Sequence, residues 1–156
     1  REWVMNRVPH DAEMNVEDVS PFVFGLKIGN HVRLVGDGRE LCLSGLYCLK
    51  SMVVGIESLY DVEWIIRDMP RLESLSFSGA SSDRCYTTSG LQIICCSALK
   101  TLWIGDYLFY KCDHFDLHYL PHLETVTIGN HVQFSETDIS FSRTIWQLNN
   151  QQNFHH

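Results

Sequence analysis

The chain is poor in positive charge and lacks both long apolar runs and compact catalytic signatures. Only 12 Lys and Arg stand against 19 Asp and Glu in 156 residues, a formal net charge of −7. No basic run stands out, so nucleic acid is disfavoured as a partner, because phosphate binding needs clustered positive surface. No apolar stretch approaches the ~20 residues of a membrane-spanning helix. The G-x-S-x-G, phosphate-loop and H-E-x-x-H motifs are absent, and Gly36-Asp37-Gly38 reads as a turn. The chain is therefore expected to be no enzyme and to need no cofactor. Asn-x-Ser/Thr is missing as well, which agrees with an intracellular setting.

What the chain has instead is a repeated apolar grid. Positions 1, 3, 6, 9, 12 and 14 of a fourteen-residue block hold Leu41, Leu43, Leu46, Leu49, Met52 and Val54. They hold Trp64, Ile66, Met69, Leu72, Leu75 and Phe77 in a second block, and Leu91, Ile93, Cys96, Leu99, Leu102 and Ile104 in a third. A fourth runs Phe115, Leu117, Leu120, Leu123, Val126, Ile128, and a half-copy, Val23, Leu26, Ile28, precedes the set. The mean step between copies is 25 residues, and Gly-Asn-His-Val at 29–32 returns at 129–132, displaced by 100. Self-similarity at this period points to stacked repeats.

The block keeps its length while the intervals between blocks vary: 29–40, 55–63, 78–90 and 105–114. A stack demands this, since core-facing segments must register on their neighbours, whereas loop closure entropy rises slowly with length. Positions 1 and 3, and 12 and 14, have the two-residue period of a strand. The three-residue steps between them suit a turn or a short 3₁₀-like bend, and Pro70 and Pro121 argue against continuous helix there. Gly29-Asn30, Gly105-Asp106 and Gly129-Asn130 follow position 14, and are expected to turn through left-handed backbone angles. The expectation is a β-rich solenoid of four to five rungs of about 25 residues, with short parallel strands, right-handed crossovers and little helix.

On the kernel Leu72-x-x-Leu75-x-Phe77, Leu99-x-x-Leu102-x-Ile104 and Leu123-x-x-Val126-x-Ile128, the chain resembles the leucine-rich repeat family. The trailing Ile-Gly and Phe109-x-x-Cys112-x-x-Phe115 look like the irregular BspA type of bacterial and protist surface proteins. The resemblance runs from Val23 to Phe134 and departs from the better-known subtypes in lacking the usual Asn after the kernel. It implies a curved solenoid whose inner strand surface binds macromolecules, usually proteins.

By this reading residues 1–15 form a non-repeat segment, 16–142 the solenoid, and 143–156 a polar tail that frays. Beginning at Arg1 rather than Met, the chain reads as a fragment or a processed product. Cys96 fills an inward cell as a small hydrophobe, while Cys42, Cys48, Cys85, Cys95 and Cys112 fall off the grid with no recurring paired spacing. Six free thiols are expected, which favours an intracellular compartment, although a fragment of a cell-surface protein fits too.

Candidate chemistry is thin. Cys112, Asp113, His114, Asp116 and His118 are the densest ligand-type set, and His118-x-x-x-His122 has a permissible zinc spacing without a second pair. Solvated polar side chains explain them better, and no metal is expected. The connector 78–90 is the longest and most polar; it reads as a Ser- and Gly-rich excursion more readily than as a functional loop. One surface offers more. Residues flanking positions 12 and 14 must face outward, in two columns: Gly25, Ser51, Ser74, Thr101, Thr125, and Lys27, Val53, Ser76, Trp103, Thr127. An outward Trp on hydroxylated ground is the residue type that dominates interface energy, against the plainer reading of a partly covered surface Trp. Trp103, Ser76, Thr127, Val53 and Thr101 are thus the candidate contacts for a protein partner. The functional expectation is a non-catalytic protein–protein interaction module, with two alternatives. One is a structural or adhesive repeat segment of a larger surface protein, and the other a substrate-selecting segment of a larger enzyme or signalling protein.

Overall fold

Two-residue apolar periodicity at both ends of each block, with a break between, gives each rung two short strands rather than one long one. The computed structural model describes residues 5–36, 39–80, 90–109, 114–132, 137–140 and 145–148. Its strands, in chain order, are β1 Met5–Val8, β2 Glu13–Met14, β3 Gly25–Ile28, β4 Arg33–Leu34, β5 Glu40–Ser44, β6 Ser51–Val54 and β7 Glu63–Arg67. They continue as β8 Ser74–Phe77, β9 Gly90–Ile94, β10 Thr101–Ile104, β11 His114–His118, β12 Thr125–Ile128, β13 Thr137–Ser140 and β14 Ile145–Leu148. One 3₁₀ turn, Val16–Asp18, is the only helix among the described residues. No helix there is long and apolar enough to cross a membrane.

The strands alternate between two parallel sheets, which makes the chain a β-solenoid of about four turns. One sheet has seven strands in the order β1-β3-β6-β8-β10-β12-β14, the other five in the order β13-β11-β9-β7-β5. A third, two-stranded sheet of β2 and β4 lies outside the two-sheet expectation. Register follows the grid: Leu26, Met52, Leu75, Leu102 and Val126 stand side by side, as do Ile28, Val54, Phe77, Ile104 and Ile128. In the five-stranded sheet Leu41, Trp64, Leu91 and Phe115 align, with Leu43, Ile66, Ile93 and Leu117 two residues on. All 24 grid residues and the three of the half-copy are at most 8% exposed. Trp64, Phe77 and Phe109 meet edge to face inside the core, at centroid distances of 5.2 and 5.4 Å.

The turns differ from expectation in where the left-handed residues fall. Gly29, Gly55, Gly105 and Gly129 keep ordinary φ; positive φ comes two residues later, at His31, Glu57, Tyr107 and His131, and at Asp11 in the first rung. Those glycines are small for another reason. A Cβ on Gly105 would lie 2.5 Å from the Ser78 carbonyl oxygen of the rung beneath. The bend at the other side contains a second left-handed column, Gly45, Asp68, Cys95 and Tyr119 at position 5.

The array also extends past the bounds drawn from the grid. Met5–Val8 and Ile145–Leu148, assigned to a non-repeat segment and a fraying tail, are the outermost strands of the seven-stranded sheet. At the first of these the inward column holds Asn6 beside Leu26, and its side-chain oxygen accepts the Ser20 N–H at 3.0 Å. A polar residue closing an apolar column is what a solenoid end requires. At the last, Ile145 pairs with Thr125 and Thr137 with Phe115, so β14 begins two residues sooner after β13 than the grid spacing puts it.

Candidate functional site

The outward columns of the seven-stranded sheet fall where alternation puts them. Trp103 pairs in register with Ser76 on one side and Thr127 on the other, and Ser76 in turn with Val53. Trp103 is 46% exposed and Val53 39%, while Ser76 between them and Thr127 beyond Trp103 are half-buried. Thr101, two residues before Trp103, is exposed and continues a column of Ser51, Ser74 and Thr125, all half-buried. All five candidate residues therefore share one face, within four adjacent strands spaced about 4.8 Å apart. Arg7 and Lys27 extend the Trp103 column towards β1, and Met5 covers Gly25, where a Cβ would come within 2.8 Å of its sulfur.

A third column borders this face. Position 10, just ahead of each strand, holds Phe24, Lys50, Glu73, Lys100 and Glu124. Lys50 is half-buried, and Glu73, Lys100 and Glu124 are exposed. The Phe24, Lys50, Glu73 and Lys100 carbonyls each accept two N–H groups from the next rung, as Lys50 O does from Glu73 N at 2.8 Å and Ser74 N at 3.3 Å. The backbone there is thus pinned, and four charges of alternating sign stand at regular strand spacing. The signal was open in the sequence, but it sits between grid cells and shows no apolar period.

Other clusters are less organised. Asp116 and His118 lie in the outward columns of β11, whereas Cys112 and Asp113 fall outside the described residues. The Nδ1 of His122 donates to the Ser97 carbonyl at 2.7 Å. Among the described residues no group of three or more His, Cys, Asp or Glu is placed to hold a metal ion. Residues 81–89 of the polar connector likewise lie outside the described set. His31 stands between Asp11 (3.6 Å from Nδ1) and Glu57 (3.5 Å from Nε2) beside an open hollow of ≈350 Å³ that Arg33 and Tyr60 also line. Its two nitrogens face different carboxylates, so the three side chains do not converge on one point as metal ligands do.

Cys42, Cys48, Cys95 and Cys96 are free thiols; Cys85 and Cys112 lie outside the described residues. Burial between rungs pushes the Cys96 thiol up to about 11, against a smaller lowering effect of the Met69 backbone. It stays protonated at neutral pH and packs as a small apolar side chain. No protein-family model, curated protein or solved structure matches the chain.

Proposed function

We propose that this chain is a non-catalytic recognition module that binds protein through the outer face of its seven-stranded sheet. The observation that carries the reading is Trp103, a large aromatic side chain left 46% exposed in the middle of a regular strand face. Around it stand Ser76, Thr127 and Thr101, with Val53 two strands away. Small hydroxylated neighbours leave the indole standing proud, so a partner can surround it and exclude water, the arrangement in which a Trp contributes most to binding. The kernel's likeness to leucine-rich repeats supports the same face, since that family uses its strand surface for recognition.

The test is capture of partners by the wild-type chain and by Trp103→Ala, with thermal melting of both. Trp103→Ala should weaken binding by about 2 kcal/mol or more while leaving the melt close to wild type. Undiminished binding of every captured partner would remove the strand face as the site.

A further inference from the structure

Position 10 supplies a charge pattern with a symmetry of its own. Along the stack it reads Lys50, Glu73, Lys100, Glu124. An even-numbered alternating row is its own complement when reversed. A two-fold axis lying along the strand direction, between β8 and β10, turns a second copy face to face with the first. It inverts the stacking order and leaves each column opposite itself. Lys50 then meets Glu124 of the other copy, and Glu73 meets its Lys100. A slip of one rung would set like charges against each other, so the alternation fixes the register as well as the partner.

The neighbouring column agrees with this axis. It reads Val53, Ser76, Trp103, Thr127. Reversed, it places each Trp103 over the small Ser76 of the other copy and each Val53 over a Thr127. The two indoles come to lie side by side at the dyad, about 4.8 Å apart along the stack, where a central aromatic pair does most for an interface. From this we infer that the face binds a second copy of the chain, forming a symmetric, antiparallel homodimer. The inference rests on the reading of this face as the binding face and names its occupant.

Six overlapping strands at ~4.8 Å, each of ~5 residues at ~3.3 Å, give roughly 470 Å² of projected face per copy. Both copies together give about 940 Å², below the range of stable specific interfaces and in that of transient ones, so the dimer is weak and reversible, with a Kd of roughly 10–100 µM. The net charge of −7 opposes association of the whole molecules, which leaves the local complementarity to hold them.

Sedimentation velocity over a wide concentration range at low ionic strength tests the proposal on the whole chain. The wild type should dimerise, and rising salt should weaken the dimer. Lys100→Glu sets Glu against Glu73 twice per dimer and should weaken association by at least about tenfold, and adding Glu73→Lys should restore it to within about threefold. Because Glu73 and Lys100 are also neighbours within one chain, thermal melts accompany the sedimentation: association should fall and return while each variant melts close to wild type, whereas a structural role would move the melt in parallel. A dimer that ignores Lys100→Glu, or that Glu73→Lys fails to restore, is held by another surface and overturns the proposal. A wild type that stays monomeric throughout overturns the second copy as occupant. If such a monomer still loses a different captured protein on Trp103→Ala, the strand face survives as a binding site with another partner. If it loses none, both readings fall.

Discussion

Each rung crosses between the two sheets twice, by turns of different construction. At the bend, the chain closes on itself: the position-9 N–H donates to the position-6 carbonyl of the same rung, as Leu72 N does to Met69 O at 3.3 Å and Leu99 N to Cys96 O at 3.1 Å. Pro21, Pro70 and Pro121 occupy the second residue of that four-residue turn, where a fixed φ near −65° suits it. At the corner past position 14 the bonds run between rungs instead. Gly55 N donates to Ile28 O, Gly105 N to Phe77 O and Gly129 N to Ile104 O, each at 2.8 Å. His31 N, Glu57 N and Tyr107 N reach the other way, to Ile56 O, Gly79 O and Asn130 O, at 2.9 to 3.0 Å. The turn from position 6 to position 9 is thus closed within one rung, while the position-5 N–H ahead of it reaches the next rung, as Asp68 N does to Ile94 O at 3.2 Å. The corner exists only in the stack, so a fault there is shared by the rungs on either side.

The heaviest way to break that contrast is to put a side chain into the corner. Gly105 has backbone on every near side: a Cβ would meet the Ser78 oxygen at 2.5 Å, the Ser78 carbon at 2.7 Å and Gly79 Cα at 2.9 Å. None of these atoms is the end of a flexible side chain. Gly105→Ala should therefore cost about 3 kcal/mol, read as a shift in the denaturant midpoint. A loss below 1 kcal/mol would mean that the corner is looser than its spacing indicates.

A milder probe removes one bond and keeps the spacing. Asp106 accepts the Asn130 N–H at 2.7 Å, just as the Asn30 side chain accepts Ile56 N–H at 2.9 Å three corners earlier. Asp106→Ala should cost about 1 kcal/mol, because the site is exposed and water can replace part of the bond. Asp106→Asn should cost far less, since an amide oxygen already does the same job at Asn30. Equal losses in the two variants, measured by chemical denaturation, would assign the effect to charge rather than to the hydrogen bond.

The same contrast explains what could be read from the sequence. Burial of apolar side chains is periodic, so the grid announced both sheets, their register and the inward residues down to Cys96. It also placed Trp103, Ser76 and Thr127 in one column, since alternation leaves them nowhere else to point. Backbone conformation at the turns was not legible, because the stack imposes it: Glu57, Tyr107, Cys95 and Tyr119 are left-handed without belonging to a residue type that favours it. The outermost strands were hidden for a different reason. Asn6 breaks the apolar column at one end, and a spacing two residues short between Thr137 and Ile145 breaks the grid at the other. The alternating Lys and Glu of position 10 was visible but had no meaning until β6, β8, β10 and β12 were known to be neighbours.

The lightest test concerns the left-handed column of the bend. Tyr119 has φ 56° and is 71% exposed, so its side chain contributes little burial and its backbone bears the cost of the left-handed region. Gly45 fills the equivalent place in another rung, at φ 72°. Tyr119→Gly relieves about 1 kcal/mol of left-handed strain and gives back a similar amount through the more flexible unfolded chain. The net change should lie within about 0.5 kcal/mol of zero. Tyr119→Val keeps the backbone demand and adds a β-branch, which the left-handed region tolerates worst, so it should cost about 1–2 kcal/mol. Thermal melting of the pair separates the two effects, because both remove the exposed phenol and only one changes the backbone. If Gly and Val behave alike, the bend is not holding position 5 left-handed, and its closure rests on the turn from position 6 to position 9 alone.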